Sequence, residues 1–473
     1  MSRVIVIGGG VCGLTTAMLL ARDGNDVTVL ERDPAPIPTD ASDAWEHWER
    51  RGVNQFRMIH MFLPRFCRLA AAELPEVERE FENIGAIRFN PFAMIPAEMT
   101  GGMQPGDEQF ESLTARRPVG ETAIARAASS FPNIDIRRGV AVKGLQTGAP
   151  TESGVPHITG VVIESGDALD ADLVIDAGGR RSSLPALLEA AGARRPEEQI
   201  EDSGFVYYGR HMRSPSGEMP PMMCGLLAPW GSVSTLTLPA DNGTYGLGII
   251  TSAKDAALRG LKDTETWLRT WRSIPLVAHW ADGEPVDGNQ VAIMAKIEDR
   301  QRTFVIDGQP VATGVLAVAD SWACTNPSLG RGMSIGFVHA IALRDLLRGN
   351  AGNDPLALAK EWHEATLASA DPWYRSTLAF DRHRLNEIDA IIEGHEYEFD
   401  DPEWEMTQAM AHAANQDGDV LRAFLKVAGV LELPQDVMSD PALFEKVVSL
   451  GAGWRDAEIP APSRKELVGI VAG

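Results

Sequence analysis

Short apolar runs separated by turns begin the chain. Val4 to Ile7 is a β-branched apolar run, Leu14 to Arg22 has the pattern of a helix, and Val27 to Leu30 is a second apolar run. Short runs that are apolar throughout are typical of strands buried on both faces of a parallel sheet. The pattern therefore predicts a βαβ unit and an α/β fold.

Further runs continue this pattern along the chain. Asp172 to Ala177 and Val315 to Ala319 are predicted to be buried strands, and Gly336 to Leu347 is predicted to be a helix. Ile134 to Val142 and His157 to Glu164 are predicted to be strands of a small hairpin layer.

The middle of the chain has a different pattern. Helical periodicity covers Pro64 to Glu82. From Phe205 to Met294, alternating strands surround a helical segment at Ala256 to Ser273. Ser232 to Leu238 and Tyr245 to Ile250 are two of these strands. We interpret the region as an inserted domain that binds the substrate.

Composition narrows the classes of function. The net charge is −23. Such a surface repels phosphate backbones, so we expect no nucleic-acid partner. The four cysteines lie far apart and lack metal-ligand spacing, which favours reduced cysteines and no metal site. The sequence shows no secretory leader and no apolar stretch of transmembrane length, so we expect a cytoplasmic protein without a transmembrane segment.

A glycine-rich turn joins the first predicted strand to the first helix. It runs from Gly8 to Gly13, and Glu31 ends the following strand. Gly8 permits the tight turn, Gly10 lets a pyrophosphate approach the helix N-terminus, and Gly13 lets the helix pack closely on the strand. A carboxylate at Glu31 accepts hydrogen bonds from a ribose diol. The motif predicts a dinucleotide site and leaves NAD and FAD open.

A second loop, Ala319 to Met333, decides between the two cofactors. It follows a predicted strand, precedes a predicted helix, and places a proline seven residues after Asp320. This resembles the second FAD motif of flavoprotein monooxygenases of the para-hydroxybenzoate-hydroxylase and squalene-epoxidase-like superfamily. The resemblance implies that Asp320 binds ribityl or ribose hydroxyls and that the loop from Pro327 lines the isoalloxazine ring. The implied FAD contacts here are Asp320, Pro327, Gly330, Arg331, Gly332 and Met333.

An arginine pair adds to the resemblance. Ala115 to Glu121 is similar to the family segment that opens a helix and whose arginine contacts FAD. Arg117 is the better-aligned residue, and Arg116 stays an alternative. With the first motif, the further predicted cofactor contacts are Gly8, Gly10, Gly13, Glu31, Arg32 and Arg117.

The segment Arg51 to His60 resembles a segment near the flavin in squalene-epoxidase-like and polyether-epoxidase-like members. The resemblance makes Arg57 a candidate FAD contact. His60 is the candidate that would face the flavin, and a structural histidine is an equal alternative. No other catalytic residue is predicted, because in this family the flavin carries the chemistry.

Two positions depart from the family pattern. Gly178 stands where the family's middle motif has an aspartate, while Gly179 and Ser182 keep their places. That motif is linked to NAD(P)H use, so NAD(P)H is expected as electron source either directly or through a separate flavin reductase. Ala319 stands in place of a glycine, and we expect this to be a small change. A flavin halogenase is disfavoured, because Trp271 to Pro275 has one tryptophan with the wrong spacing for the halogenase motif and no lysine precedes Lys143. Trp267 and Trp271, four residues apart, instead predict one face of a packed helix.

The resemblance implies an FAD-dependent monooxygenase. Reduced FAD would react with molecular oxygen to form a flavin C4a-hydroperoxide, which hydroxylates or epoxidises an apolar small molecule of the secondary-metabolite type. One alternative is a flavin-dependent dehydrogenase or alkene reductase on the same fold. Another is a non-catalytic FAD-binding partner in a biosynthetic complex.

The substrate is expected between the sheet of the inserted domain and the flavin. That domain is rich in methionine and aromatic residues, which favours an apolar ligand, although such side chains also fill cores. The candidate substrate contacts are Tyr207, His211, Met222 and Trp230, with Phe205, Met223 and Leu236 as further candidates for the wall.

The predicted fold class is α/β, with a Rossmann-like FAD-binding domain, an inserted mixed β-sheet substrate domain and a helical C-terminal region. A chain of 473 residues suits joined domains better than one core. The FAD-binding domain is predicted at 1–200 and 296–350, the substrate domain at 201–295, and the C-terminal helical region at 351–473.

Overall fold

The computed structural model describes residues 2–151, 154–286, 288, 290–349 and 354–473. Its strands are β1 (Arg3–Ile7), β2 (Asp26–Glu31), β3 (Ile87–Phe89), β4 (Ser112–Thr114), β5 (Ile134–Arg138), β6 (Val142–Thr147), β7 (Ile158–Ile163), β8 (Ala168–Asp170), β9 (Leu173–Asp176), β10 (Glu197–Asp202), β11 (Phe205–Arg213), β12 (Leu227–Trp230), β13 (Val233–Pro239), β14 (Thr244–Ser252), β15 (Glu284–Pro285), β16 (Ala292–Met294), β17 (Glu298–Thr303), β18 (Val305–Ile306), β19 (Gln309–Pro310), β20 (Val315–Ala317) and β21 (Ala323–Cys324).

The helices complete the list of elements. They are α1 (Val11–Arg22), α2 (Ala41–Glu46), α3 (Pro64–Glu73), α4 (Pro75–Asn83), α5 (Pro91–Met94), α6 (Ala97–Thr100), α7 (Arg117–Ser129), α8 (Leu184–Ala190), α9 (Thr264–Arg272), α10 (Gly332–Arg348), α11 (Pro355–Ser369), α12 (Asp371–Glu393), α13 (Pro402–Ala414), α14 (Gly418–Ala428), α15 (Pro434–Val437), α16 (Pro441–Gly451) and α17 (Arg464–Ala472).

A five-stranded parallel sheet forms the first layer, in the order β20-β9-β1-β2-β5. Successive side chains of a strand point to opposite faces, so both faces of this sheet are apolar. Val4 and Val6 pack with α1, α7 and α10, whereas Ile5 packs with β7 and α8 on the other side. This arrangement confirms the predicted βαβ unit and the α/β fold class.

A second, antiparallel sheet contains β12-β13-β14-β11, with β15 and β16 paired to β11. Helix α9 covers one face of it. Trp267 and Trp271 on this helix are fully buried and stacked, with ring centroids 5.1 Å apart. Trp267 Nε1 donates to the carbonyl of Tyr208 at 2.9 Å, and the prediction of one packed helix face is confirmed.

Three glycines of the second sheet bring it close to the segment before α3. A Cβ added at Gly246 or at Gly248 would lie 2.4 Å from side-chain atoms of Ile59, and one at Gly209 would lie 3.1 Å from Met58. The contact is tightest at Gly246, where a Cβ would also lie 2.8 Å from the Ile59 Cβ, so a larger residue there would displace Ile59. This contact fixes the segment between the two sheets, where the site described below is formed.

Two predictions of local structure were wrong in detail. Ile134–Arg138 does not join a hairpin layer, because it pairs in parallel with β2 at the edge of the central sheet. Val142–Thr147 and Ile158–Ile163 do form the antiparallel layer, together with β8. The helix predicted over Pro64 to Glu82 is divided at Pro75, since proline lacks the N–H that would continue the helix.

The chain after Asp354 is helical, as predicted, and its helices return to both sheets. Arg464 on α17 forms a bidentate pair with the buried Asp255 at 2.7 Å, which anchors the last helix beside α9. Within the described ranges, no helix combines the length and apolar content needed to cross a membrane.

Candidate active site

A cavity of about 700 Å³ lies between the two sheets and reaches the C-terminal helices. It brings together cofactor residues that the sequence predicted from motifs three hundred residues apart. The predicted residues that line it are Gly8, Gly10, Gly13, Glu31, Arg32, Arg117, Asp320, Pro327, Gly330, Arg331, Gly332 and Met333.

The first glycine loop has the geometry of a pyrophosphate cradle. Gly8 has a φ of 105°, a conformation that strongly favours glycine. A Cβ at Gly13 would lie 2.0 Å from the carbonyl oxygen of Gly8, whereas one at Gly10 would meet no atom within 4 Å. The backbone at Gly10 therefore opens onto the cavity, at the N-terminus of α1, where free N–H groups and the helix dipole favour an anion.

Glu31 lies at the end of β2 with one carboxylate position left for a ligand. Its Oε2 accepts from Gly9 N at 2.9 Å and pairs with Arg50, while Oε1 accepts from Asp33 N at 2.9 Å. A carboxylate offers about four lone-pair positions, so Oε1 can accept one further hydrogen bond, as from a ribose hydroxyl.

Arg50 is a site residue that the sequence analysis missed. Its NH1 donates to Gly9 O at 3.0 Å and to Glu121 Oε2 at 2.7 Å, and its side chain is only 4% exposed. Burial alone would raise the pKa of Glu121, but Arg117 and Arg50 hold it below its ordinary value. This buried ion cluster joins β2, the glycine loop and α7. No motif identifies Arg50, because its partners lie far from it in sequence.

The structure distinguishes between the candidate arginines. Arg117 lines the cavity and donates from Nε to Glu121 at 2.8 Å. Arg116 instead forms a bidentate pair with the fully buried Asp241. Arg57 lies outside the cavity: it donates to the Trp48 carbonyl at 2.9 Å, and its guanidinium lies 4.9 Å from the ring of Trp45. The aromatic neighbours that attract Arg57 were not visible in the resemblance.

His60 lines the cavity beside Phe62, with the two rings edge to face at 4.9 Å. Its Nε2 has no hydrogen-bond partner among the described residues. Burial, assisted by the charge of Arg117, lowers the pKa of His60 to about 3. The imidazole is therefore neutral near pH 7, and its Nε2 is buried.

The second loop places a helix N-terminus at the other end of the cofactor region. Gly330 has a φ of 65°, and α10 begins at Gly332, which also lines the cavity. Asp320 follows β20 and lines the same space. The positive end of α10 thus faces the region where negative charge would develop on a reduced flavin.

Ala319, which the sequence analysis treated as a small change, has a left-handed backbone with a φ of 52°. Its N–H donates to Nδ1 of His339 at 3.1 Å, and Nε2 of His339 contacts Thr366 Oγ1 at 2.9 Å. Burial lowers the pKa of His339 to about 3, so the ring is neutral and can accept this bond. A Cβ on a residue with such a φ destabilises the folded state by about 1–2 kcal/mol.

We expect Ala319→Gly to stabilise the protein by about 1 kcal/mol, because relief of the left-handed alanine exceeds the entropy that glycine adds to the unfolded chain. Urea denaturation at saturating FAD measures the effect. Ala71→Gly, at an exposed position of α3, is the matched control and should cost up to about 1 kcal/mol. An equal loss of unfolding free energy in both variants would contradict the claim that the backbone at Ala319 is strained.

A buried polar cluster lies where the second loop meets the second sheet. Tyr207 O–H donates to Asn326 Oδ1 at 2.7 Å, and Ser328 Oγ donates to Asp381 Oδ1 at 2.5 Å. Behind them, Asn326 N donates to Asp299 Oδ1 at 2.5 Å. Burial raises the pKa of Asp381 to about 7 and that of Asp299 to about 6.

Arg331 is buried beside this cluster. Its NH1 contacts the hydroxyls of Ser376 and Thr377 at 3.3 and 3.2 Å, and its guanidinium lies 5.5 Å from the Trp373 ring. Burial lowers the pKa of Arg331 to about 10, so it is still charged near pH 7. Arg331 therefore supplies a fixed positive charge within the second loop, where such a charge would stabilise an electron-rich cofactor.

The remaining part of the cavity is an apolar chamber, and only some of the predicted wall residues line it. Phe205, Tyr207, Met222 and Leu236 line it. Trp230 and His211 do not. Leu227 and Pro229 face the chamber, so strand alternation turns Trp230 to the other side, where it donates to Thr235. The ring of His211 packs on Trp45, with centroids 4.7 Å apart. Met223 lies outside the chamber and is about half exposed.

Two C-terminal helices close the chamber, which the sequence did not predict. Helices α13 and α14 carry lining residues that include Trp404, Thr407, Gln408, Phe424 and Leu425. These positions belong to no motif. Helical periodicity shows only that they face inward, and a core and a ligand chamber give the same signal.

The residues present fit FAD on grounds of geometry. The loop at Gly10 is open to a pyrophosphate, Glu31 retains an acceptor for a ribose, and the N-terminus of α10 lies at the far end of the same cavity. The cavity volume of about 700 Å³ lies within the range of about 300–1,000 Å³ that is usual for ligand and cofactor pockets.

Comparison with known proteins agrees with this site. A family model described as FAD dependent oxidoreductase matches residues 3–140. Protein Rv3254 of Mycobacterium tuberculosis is 26% identical over 400 residues, 78% of each chain. The FAD-dependent monooxygenase ntnJ of a Nectria species is 21% identical over 383 residues, 78% of this chain and 81% of that one.

Solved structures show the same fold. The Diels-Alderase PyrE3 of pyrroindomycin biosynthesis matches with a TM-score of 0.59 and 18% identity, over 92% of this chain and 82% of its own. The anhydrotetracycline hydroxylase OxyS of Streptomyces rimosus matches with a TM-score of 0.55 and 17% identity, over 91% and 76%. The first 140 residues thus match an FAD-dependent oxidoreductase model, and the chain shares its fold with these flavoenzyme structures, so the predicted resemblance is confirmed.

Proposed function

We propose that this protein is an FAD-dependent monooxygenase that hydroxylates or epoxidises an apolar small molecule of the secondary-metabolite type. One observation carries the proposal: the nucleotide loop at Gly8 to Gly13, the flavin loop at Pro327 to Gly332 and the apolar chamber belong to one continuous cavity. A substrate in the chamber would therefore meet the flavin end of the cofactor directly.

The side chains of the cavity have two tasks, and FAD supplies the chemistry. Leu236, Leu238 and Ile250 form an apolar wall that orients the substrate body and excludes water. Arg331 and the N-terminus of α10 hold positive charge beside the flavin loop. FAD, when bound, supplies electrons to molecular oxygen and directs one oxygen atom to the substrate.

The named relatives support oxygen chemistry and show why it must be tested. One is called an FAD-dependent monooxygenase and another an anhydrotetracycline hydroxylase, but a third with the same fold is called a Diels-Alderase. Fold alone does not fix the reaction. The electron source, NAD(P)H used directly or through a flavin reductase, is part of the proposal, and Gly178 supports the two-component form because it lacks the family's carboxylate.

The first experiment measures reduction of the purified FAD-loaded protein under anaerobic conditions. NADH, NADPH, and NADH with an added flavin reductase are supplied in separate reactions, and bleaching of the flavin absorbance is followed. We expect fast bleaching only with the reductase. Fast bleaching by NADPH or NADH alone would replace the two-component form with a self-sufficient enzyme.

The second experiment supplies labelled oxygen to the reduced protein with 2-naphthol as a probe substrate. A monooxygenase incorporates one labelled atom into the product, which mass spectrometry detects, and labelled water under unlabelled oxygen gives none. Product that forms without oxygen would support a dehydrogenase or reductase instead. Conversion of the probe without any oxidation or reduction of the flavin would support a non-redox reaction, as the name Diels-Alderase indicates for one protein of this fold.

A further inference from the structure

Helices α13 to α16 and the turn that follows them have an apolar core of their own. The partly buried residues that pack on this core, from Met406 to Trp454, come from the same part of the chain. We call this unit, residues 402–456, the helical cover. Its buried core residues are Ala409, Met410, Ala413, Ala414, Val420, Ala423, Val437 and Val447.

Exposed connectors join both ends of the helical cover to the rest of the chain. Before α13, residues 393–396, 398 and 400 are exposed, and after the cover residues 457–460 are exposed. The second connector leads to α17, which the pair between Arg464 and Asp255 anchors beside α9. A unit with its own core and exposed connectors can move while the sheets beside it stay folded.

The start of α13 packs on α12, outside the helical cover. The ring of Trp404 stacks on His383, with centroids 4.8 Å apart, and lies 5.6 Å from the ring of Phe380. His383 Nε2 contacts Asp401 Oδ2 at 2.8 Å, and the other carboxylate oxygen of Asp401 caps α13. These contacts hold the start of α13 in place, so we expect it to be the pivot of any movement.

Helix α14 has three faces with different neighbours. Val420 and Ala423 belong to the core of the helical cover. Arg422 lies between them in sequence and is directed to a segment outside the cover. The residues of α14 that line the cavity include Leu421, Phe424, Leu425 and Ala428, at the spacing of three and four that places side chains on one helix face.

Arg422 attaches α14 to the segment between β3 and β4. Its Nε and NH2 donate to the two carboxylate oxygens of Asp107 at 2.9 and 2.7 Å. It also donates to the carbonyls of Thr100 at 3.2 Å and Gly102 at 3.0 Å, and its guanidinium lies 4.5 Å from the ring of Phe92. The Arg422 and Asp107 side chains are 14% and 3% exposed, and separating a pair buried to this degree is strongly unfavourable.

This attachment lies at the edge of the ligand chamber. Pro91 and Ile95, which flank Phe92 in the sequence, line the cavity. Beyond the end of α14, the carbonyl of Gly429 accepts from Arg65 N at 3.1 Å, which adds one backbone contact to the same edge. Separation of α14 from this edge would therefore open the chamber between α14 and α5.

We propose that the helical cover opens and closes the chamber by turning about the start of α13, and that the Arg422–Asp107 pair is the latch that holds it closed. Arg422 is thus a positioning residue, because it keeps α14 against the chamber and does not itself line the cavity. This inference goes beyond the proposed function, since it concerns access to the chamber and applies to any reaction there.

The first test measures how fast 2-naphthol enters and leaves the oxidised FAD-loaded protein, by stopped-flow recording of the flavin absorbance. Arg422→Met keeps the length of the side chain and removes its charge. We expect the association and dissociation rate constants both to rise at least about tenfold, because the open state becomes more populated. The Kd should change less than about threefold, since the latch is the same with and without ligand.

Arg455→Met is the matched control. Arg455 also lies in the helical cover, but its partner Glu405 belongs to the cover as well, and both side chains are about half exposed. The substitution therefore breaks an ion pair without releasing the cover, and both rate constants should stay at their wild-type values.

The second test measures the movement itself and needs no ligand. Spin labels are attached to cysteines introduced at Ser449, exposed on α16, and at Ala71, exposed on α3, while the four native cysteines are buried or half-buried. Pulsed electron resonance then gives the distribution of distances between the cover and the body of the protein. We expect Arg422→Met to add a population at a longer distance and Arg455→Met to leave the distribution unchanged.

Two results would overturn the inference. One is a distance distribution that is the same in the wild type and in Arg422→Met. The other is a rise in the dissociation rate constant alone, since that indicates a lost wall contact and not a gate. If Arg422→Met fails to retain FAD, Asp107→Asn replaces it in both tests, because it removes the other charge of the latch and keeps the side-chain shape.

Discussion

Gly13→Ala is expected to abolish stable FAD binding, with a loss of affinity of more than about 100-fold, or roughly 3 kcal/mol. An alanine Cβ at this position would lie 2.0 Å from the Gly8 carbonyl oxygen and 3.2 Å from the Ala177 side chain. Gly8 and Ala177 follow β1 and β9 directly, and hydrogen bonds from their backbone N–H groups to Leu30 and Ile7 hold them to the sheet, so the helix has to move. Fluorescence titration of the apoprotein with FAD measures the result.

Two glycine controls define what this result means. Gly10→Ala should leave the fold intact, because no atom lies within 4 Å of the added Cβ, yet it should weaken FAD binding by filling space that a phosphate would occupy. Gly469→Ala, on α17, adds a methyl group into open space and should leave FAD affinity unchanged. Retention of full FAD affinity by Gly13→Ala would contradict the assigned role of the loop.

Asp241→Ala is expected to destabilise the protein by about 3–5 kcal/mol, because it leaves the guanidinium of Arg116 buried without its partner. The two side chains are 0% and 4% exposed, and Arg116 donates to Asp241 from its backbone N, Nε and NH2. The pair joins the N-terminus of α7 to the turn after β13, and so connects the two sheets. Chemical denaturation at fixed FAD concentration measures the loss.

An exposed ion pair is the appropriate control for this prediction. Asp135 pairs with Arg137 at 2.7 Å, but both side chains are about half exposed, so Asp135→Ala should cost less than about 1 kcal/mol. If Asp241→Ala and Asp135→Ala lowered the free energy of unfolding by similar amounts, burial of the Arg116–Asp241 pair would make no difference to stability.

The pH dependence of the same pair has a defined sign. Burial would raise the pKa of Asp241, but the hydrogen bonds and charge of Arg116 hold it below its ordinary value of 3.8. A carboxyl with a lowered pKa in the folded state stabilises the protein above its unfolded pKa. The contribution of Asp241 is therefore complete near pH 7 and is lost as the pH falls below about 4.

The cofactor half of the site was predictable because its signals are local. A strand, a glycine turn and a helix determine the loop at Gly8 to Gly13 within a few residues, and the same holds for the loop from Asp320 to Met333. Arg57 shows the limit of this reasoning: its segment was correctly placed near the site, but Trp45 and the Trp48 carbonyl hold its side chain elsewhere.

The substrate half depends on contacts that local patterns do not contain. A shift of one residue along a strand exchanges the two faces, so Trp230 and Pro229 could not be assigned to the chamber from composition. Asp381 lies on a helix whose sequence contains several acidic residues, and only its packing against Ser328 distinguishes it from them. His211 also lies outside the chamber, because its ring packs on Trp45, which belongs to a helix far from His211 in the sequence.

The chamber wall formed by α13 and α14 has a consequence for how this protein can change. The predicted FAD contacts lie between Gly8 and Met333, whereas this wall lies between Pro402 and Ala428. Sequence drift in the two helices can therefore reshape the ligand space while the cofactor loops stay the same. Selection, in nature or in a directed-evolution library confined to these helices, can act on substrate preference separately from cofactor retention.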